Sequence, residues 1–197
     1  KINEKIELLL TIKDDFISNL ENISKVLESG SNEEKIKILE SLENIDNPEF
    51  LEKIILKLDD EDIQVRGEAF SALVLNKNEI SNLLIKSLKS TNKNIRGFVA
   101  LILANRNETS SISEIIKLVK DERSMVRSCA IGALGHLKAQ EAKEVIEQSV
   151  FDSNLEVKKS ALQAAIDLNI TISEDKINKI NIDDDTEIEK LLIELRK

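Results

Sequence analysis

The chain has no tryptophan or tyrosine, and it has a single proline, cysteine, histidine and methionine in 197 residues. Each shortage excludes something. The lone Cys129 cannot form an internal disulfide, so stability must come from a packed core, and a single thiol fits a reducing, cytoplasmic setting. With His136 and Cys129 as the only residues of their kinds, no zinc cluster, Ser-His-Asp triad or Cys-His pair of ordinary type can be assembled. The reading is therefore of a non-enzyme with no catalytic residue, no metal and no cofactor. Aromatic side chains are limited to Phe16, Phe50, Phe70, Phe98 and Phe151, which removes the usual stacking platforms for single strands. A net charge of −9 opposes phosphate backbones and anionic lipid surfaces alike, so neither nucleic acid nor membrane is an expected partner. No apolar run approaches membrane-spanning length, and residues 1–10 do not resemble a signal peptide. The first residue is Lys1 rather than methionine, so a processed product or a piece of something longer is the expectation. Only five glycines and one proline are present to break regular structure, which favours helices joined by short polar loops.

What is present is a repeat. The stretch Asp121-Glu-Arg-Ser-Met-Val-Arg-Ser-Cys-Ala-Ile-Gly-Ala-Leu-Gly135 has counterparts beginning at Asp60, Thr91 and Asp152, and their basic residues Arg66, Arg96, Arg127 and Lys158 lie 30, 31 and 31 positions apart. A period in this range is the signature of stacked units that cannot bury their apolar faces alone. Each unit reads as two helices. First helices (A) are expected over 48–58, 79–89, 111–120, 140–150 and 173–180, and second helices (B) over 32–45, 62–75, 92–105, 123–137, 154–168 and 185–196. Asn47-Pro48 is an N-cap followed by proline at the first helical position, and Ser111-x-x-Glu114 has the form of a capping box. Lys35 lies 31 residues before Arg66, so the segment after Ser31 is a degenerate first B helix. Glu189 stands where the ladder would next place a cation, as at an end cap.

On a helical wheel the residue before each cation and those three, six and seven after it share one side. They are Val65, Ala69, Ala72, Leu73; Ile95, Val99, Ile102, Leu103; Val126, Ala130, Ala133, Leu134; and Val157, Ala161, Ala164, Ala165. This apolar, alanine-rich side is the expected core face. Residues 1–29 precede the array. Ile2, Ile6, Leu9, Phe16, Leu20, Ile23 and Leu27 form a helical stripe there, read as an N-terminal cap or as a junction to an upstream region. The expected organisation is thus a cap or junction over 1–29 and a single repeat array over 30–197.

The D-x-x-x-x-V-R-x-x-A-x-x-A-L pattern in a repeat of about 30 residues resembles HEAT repeats, in the short form also seen in phycobilisome-lyase-type proteins. The resemblance implies an all-α fold, a right-handed α-α superhelix of about five helix pairs. It also implies a non-enzymatic scaffold that binds a protein or peptide along its concave B-helix face. Rival readings are an accessory, lyase-like or chromophore-handling protein, or a regulatory segment of a longer chain. The resemblance further implies that the ladder Arg66, Arg96, Arg127 and Lys158 is structural, each cation pairing with loop acids such as Asp60, Asp62, Asp121 and Asp152.

Candidate binding residues follow from the wheel. Opposite the core, Gly97, Leu101, Ser128 and Gly132 are small or apolar where a merely solvated face favours Lys, Glu or Gln. Phe98 lies at the rim, and Asn105 and His136 at the far edge. No acid occurs between Ile80 and Asn107, whereas Lys86, Lys89, Lys93, Arg96 and Arg106 do, making a basic island in an acidic chain. The expected ligand is an acidic-apolar peptide. Asp59–Asp62 and Asp183–Asp185 lack the alternating spacing and central glycine of a calcium loop and are read as helix N-terminal acids.

Overall fold

The computed structural model describes residues 17–197. Among these residues there are α-helices, short 3-10 turns and loops, with no strand. They gather into two compact units that divide between Glu79 and Ile80.

In the first unit, helix α1 is described over 17–29. It is followed by α2 (Asn32–Ser41), α3 (Pro48–Leu56) and α4 (Ile63–Leu75). The stripe positions Ile2 to Phe16 lie outside the described residues; from there on, Leu27 is buried. The Asn47-Pro48 start behaves as its sequence suggests, since the Asn47 carboxamide oxygen accepts from Glu49 N and Phe50 N. A reciprocal capping box opens α2, where Ser31 and Glu34 each accept from the other's backbone N–H.

The second unit runs α5 (Ser81–Ser87), α6 (Lys93–Asn105), α7 (Ile112–Leu118), α8 (Ser124–His136), α9 (Lys143–Ser149), α10 (Leu155–Asp167), α11 (Glu174–Ile177) and α12 (Thr186–Leu195). The B helices α6, α8, α10 and α12 stack in sequence order, while α5, α7 and α9 pack on the B helices of their own repeats. The A helices are shorter than their apolar patterns suggest. Two of them are entered through 3-10 turns, Thr109–Ser111 and Gln140–Ala142. This corrects the reading of Ser111-x-x-Glu114 as a capping box. Ser111 makes no cap bond; it is buried and donates its hydroxyl to Glu108 O at 2.6 Å. Glu114 turns instead to Lys117 and Lys89.

Connections from B to A helices follow one design in this unit. Asn107, Lys138 and Asn169, each 31 residues from the next, take positive φ of 55°, 53° and 52°. The next residue's N–H then reaches back five positions: Glu108 to Leu103 O, Ala139 to Leu134 O, Ile170 to Ala165 O. This is the bond pattern that closes a helix C-terminus through a left-handed residue. Asn76, the corresponding residue in the first unit, does not adopt it. It is buried, and its side chain donates to Ile45 O and accepts from Asn78 N.

All sixteen wheel positions assigned to the core are at most 4% exposed. The apolar stripe is wider than that set, because residues four after the cation, Ala100, Ile131 and Leu162, are also wholly buried. A B helix in the middle of the stack contacts its predecessor on one flank and its successor on the other, so it needs more apolar surface than a helix lying over a single core. Small residues set the spacing. A Cβ on Gly135 would stand 3.1 Å from the Ala164 Cβ, so the glycine lets α8 and α10 approach closely.

Candidate functional site

The cation ladder is the most regular polar feature. Arg96 places Nε and Nη2 on the two carboxylate oxygens of Asp121, at 2.9 and 3.0 Å. Its Nη1 donates to Ser90 O and Thr91 O. Arg127 repeats the arrangement on Asp152, also at 2.9 and 3.0 Å, with Nη1 on Asp121 O. Lys158, where the next arginine would stand, reaches Asp183 and Asn181 O. In the first unit Lys35 meets Asp60 at 3.0 Å, and Lys57 shares the same carboxylate at 3.1 Å. Arg66, expected to pair with a loop acid, instead donates to the main-chain oxygens Asp60 O and Glu61 O. Four cation–aspartate pairs therefore share a 25-residue separation.

Three of the four aspartates have a second task. Asp60 accepts from Asp62 N, Asp121 from Arg123 N and Asp152 from Asn154 N, which fastens the turn leading into its own B helix. Asp62 is not a rung of the ladder. It caps α4 through Gln64 N and Val65 N. Ahead of α6 the equivalent residue is Ser90, whose hydroxyl accepts from Asn92 N, so the cap is kept without the charge. Burial alone would raise the Asp60, Asp121 and Asp152 carboxyls. Hydrogen bonds from the cations and backbone N–H groups, together with the nearby positive charges, outweigh it and hold all three below the usual carboxylate range. The ladder cations are thus engaged within the protein.

The candidate binding residues fall into three environments. Leu101 and Phe98 on α6, with Ser128 on α8, are half-buried, whereas Gly132, Asn105 and His136 are exposed. A Cβ on Gly132 would meet nothing within 4 Å. Gly97 is buried, and a Cβ there would lie 2.7 Å from Met125 Sδ and 3.3 Å from Cys129 Sγ, so it sits beneath this strip rather than on it. Met125 and Cys129 cover it and are themselves half-exposed. The Asn105 side chain donates to Leu101 O, and the Ser128 and Ser160 hydroxyls share a bond of 2.7 Å. Burial pushes the Cys129 thiol up to about 11, away from nucleophilic reactivity. Beyond Ser160 the face turns charged, with Lys159 held between Asp185 and Glu187 at 3.0 and 2.8 Å.

The residues of the basic island differ in their surroundings. Arg96 is committed to Asp121, Arg106 lies 3.5 Å from Glu108 and Lys89 lies 3.7 Å from Glu114. Lys86 and Lys93 are exposed. No group of three or more His, Cys, Asp or Glu placed to hold a metal occurs among the described residues. No helix among them is long and apolar enough to cross a membrane.

Stacked helix pairs with a partly buried cation–aspartate ladder define an all-α helical-repeat fold. Residues 80–166 match the family model for HEAT repeats. No curated protein matches the sequence. Among solved structures, the chain resembles a designed armadillo repeat protein in complex with the peptide (KR)4. The TM-score is 0.53 at 20% identity, over 93% of this chain and 92% of that one. Another designed armadillo repeat protein gives 0.52 at 19% identity, over 89% and 98% of the two chains. A structure titled for TOG-tubulin binding specificity gives 0.53 at 15% identity, over 90% and 82%. At these identities the likeness is one of fold.

Proposed function

We propose that the chain is a non-enzymatic scaffold that docks a protein or peptide on the B-helix face of its second unit, along α6 and α8. The observation that carries this reading is the open space above Gly132, on a face where Phe98, Leu101, Met125 and Cys129 are partly uncovered. An uncovered apolar strip beside a residue with no side chain admits a partner's main chain closely. Lys93 stands exposed at the N-terminal end of α6, and no acid lies between Ile80 and Asn107, so the favoured ligand is an acidic-apolar peptide. The likeness to a designed repeat protein solved with a peptide, and to a structure titled for tubulin binding, supports docking as the class of function.

The test is selection from a displayed random-peptide library, using the intact chain as bait. Enrichment of sequences mixing Asp or Glu with Leu, Ile or Phe is expected, with loss of binding in the Leu101→Glu/Gly132→Arg double variant at an unchanged melting temperature. Selected peptides that bind a folded double variant as well as the wild type would refute the face.

A further inference from the structure

The second unit contains another surface, at α12, whose chemistry is set by comparison with the helices before it. In α6, α8 and α10 the ladder cation and the residue four positions later are both spent on neighbouring repeats. Arg96, Arg127 and Lys158 each reach an aspartate 25 residues on, and Ala100, Ile131 and Leu162 are 0% exposed. The same two positions of α12 are Glu189 and Ile193. Ile193 is 56% exposed. Both line an open groove of about 540 Å3 with Ile177, Ile180, Ile182 and Leu192. The apolar half of the stacking surface is therefore kept while its charge is inverted.

A face adapted only to water would have become polar at both positions. One adapted to a further repeat of the same ladder would have kept a cation to meet that repeat's aspartate. Of the charged residues lining the groove, Arg196 is already occupied, donating to Glu174 Oε1 at 3.0 Å and Asn178 Oδ1 at 3.1 Å. Glu189 forms no ion pair among the described residues.

We propose that this groove docks an amphipathic helix of a partner that carries an apolar stripe interrupted by one lysine or arginine, the cation facing Glu189. A helix is the fitting occupant because B helices are what the equivalent surfaces of α6, α8 and α10 receive. A cation is required because an acid brought against Glu189 in a partly desolvated groove is repelled, whereas a base replaces the pair that each inner rung makes.

The experiment uses the intact chain and a fluorescently labelled, alanine-rich helical peptide with a leucine stripe and one central lysine, beside a twin with glutamate at that position. Fluorescence anisotropy should give binding of the lysine peptide about tenfold tighter than that of the twin. Glu189→Lys, which restores the inner-rung charge, should reverse the preference. Ile193→Asp should abolish binding of both peptides without lowering the melting temperature, since the side chain is exposed. Failure of the lysine peptide to bind, equal affinity for the twins, or a preference unmoved by Glu189→Lys would each overturn the proposal. So would self-association of the peptide-free chain that Ile193→Asp removes, because the occupant would then be a second copy. Cross-linking of the peptide to α6 or α8 instead of α12 would assign it to the other face and overturn the proposal too.

Discussion

Removing the Arg127 guanidinium while keeping its stem, as in Arg127→Met, leaves the Asp152 carboxylate with Asn154 N as its remaining hydrogen-bond donor at 2.8 Å. The two side chains are 18% and 16% exposed, so each charge is largely but not wholly out of water. Breaking one partner of a fully buried pair costs about 3–5 kcal/mol, and this residual exposure brings the expected loss to about 2–4 kcal/mol. Asp152→Asn retains a cap acceptor and strands the cation instead, with a smaller loss of about 1–3 kcal/mol because Arg127 keeps its bond to Asp121 O. The double variant strands neither charge. It should therefore fall short of the sum of the two single losses by about 1–2 kcal/mol. Native-state hydrogen exchange at α8 and α10 amides is the suitable readout, since a chain of two compact units need not unfold in one step. Strict additivity would refute the pairing as a source of stability.

The same pair has a pH signature. Asp152 has a lower pKa folded than unfolded, so its contribution is present above the ordinary aspartate value, near 3.9, and is lost as pH falls through the folded value. Stability should rise with pH across that acid window, and Arg127→Met should make the slope shallower.

Two further outcomes are expected. Burial, and then the charges of Glu40 and Glu43, raise the Glu68 carboxyl, so its folded state is favoured at low pH and penalised as pH rises through its raised value; Glu68→Gln should increase the melting temperature at neutral pH, with the gain vanishing below the ordinary glutamate range. Lys138 holds a left-handed conformation at φ 53° that suits glycine better, so Lys138→Gly should raise the denaturation midpoint by an amount worth about 0.5–1 kcal/mol, even though the Lys138 bond to Asp167 O is lost.

The fold was legible wherever one residue type had one task. Val126, Ala130, Ala133 and Leu134 recur with helical spacing and are wholly buried. Asn47 and Pro48 mark a helix start by local chemistry alone, which tertiary packing had no reason to override. Ser111 and Glu114 misled because their spacing fits a capping box, yet burial of Ser111 in a 3-10 turn spent its hydroxyl on Glu108 O. The loop acids were recognisable as partners for the ladder, but not which acid served which cation. The spacings from Lys35 to Asp60, Arg96 to Asp121, Arg127 to Asp152 and Lys158 to Asp183 were in the sequence; the geometry showed that the same interval recurs because each cation reaches forward into the following repeat. Gly97 illustrates the limit of a wheel. Its angle places it opposite the core, but Met125 from the next helix lies over it, and no single-helix projection contains that neighbour.

The two tasks of Asp121 and Asp152 have a consequence for how such a chain changes length. One oxygen of Asp121 fastens the turn into α8 while the carboxylate receives Arg96, and Asp152 does the same for α10 and Arg127. Because Arg96, Arg127 and Lys158 are 31 residues apart, excising residues 97–127 would bring Asp152 to the distance from Arg96 that Asp121 now occupies. Arg96 would then meet Asp152 in place of Asp121, and the bond by which Asp152 fastens the turn into α10 would be kept. Loss or gain of three or four residues between Arg96 and Asp121 would break the 25-residue spacing of that pair, although the local cap would remain. The array is in this sense quantised: whole-repeat duplication and deletion conserve its bonding, and fractional changes do not.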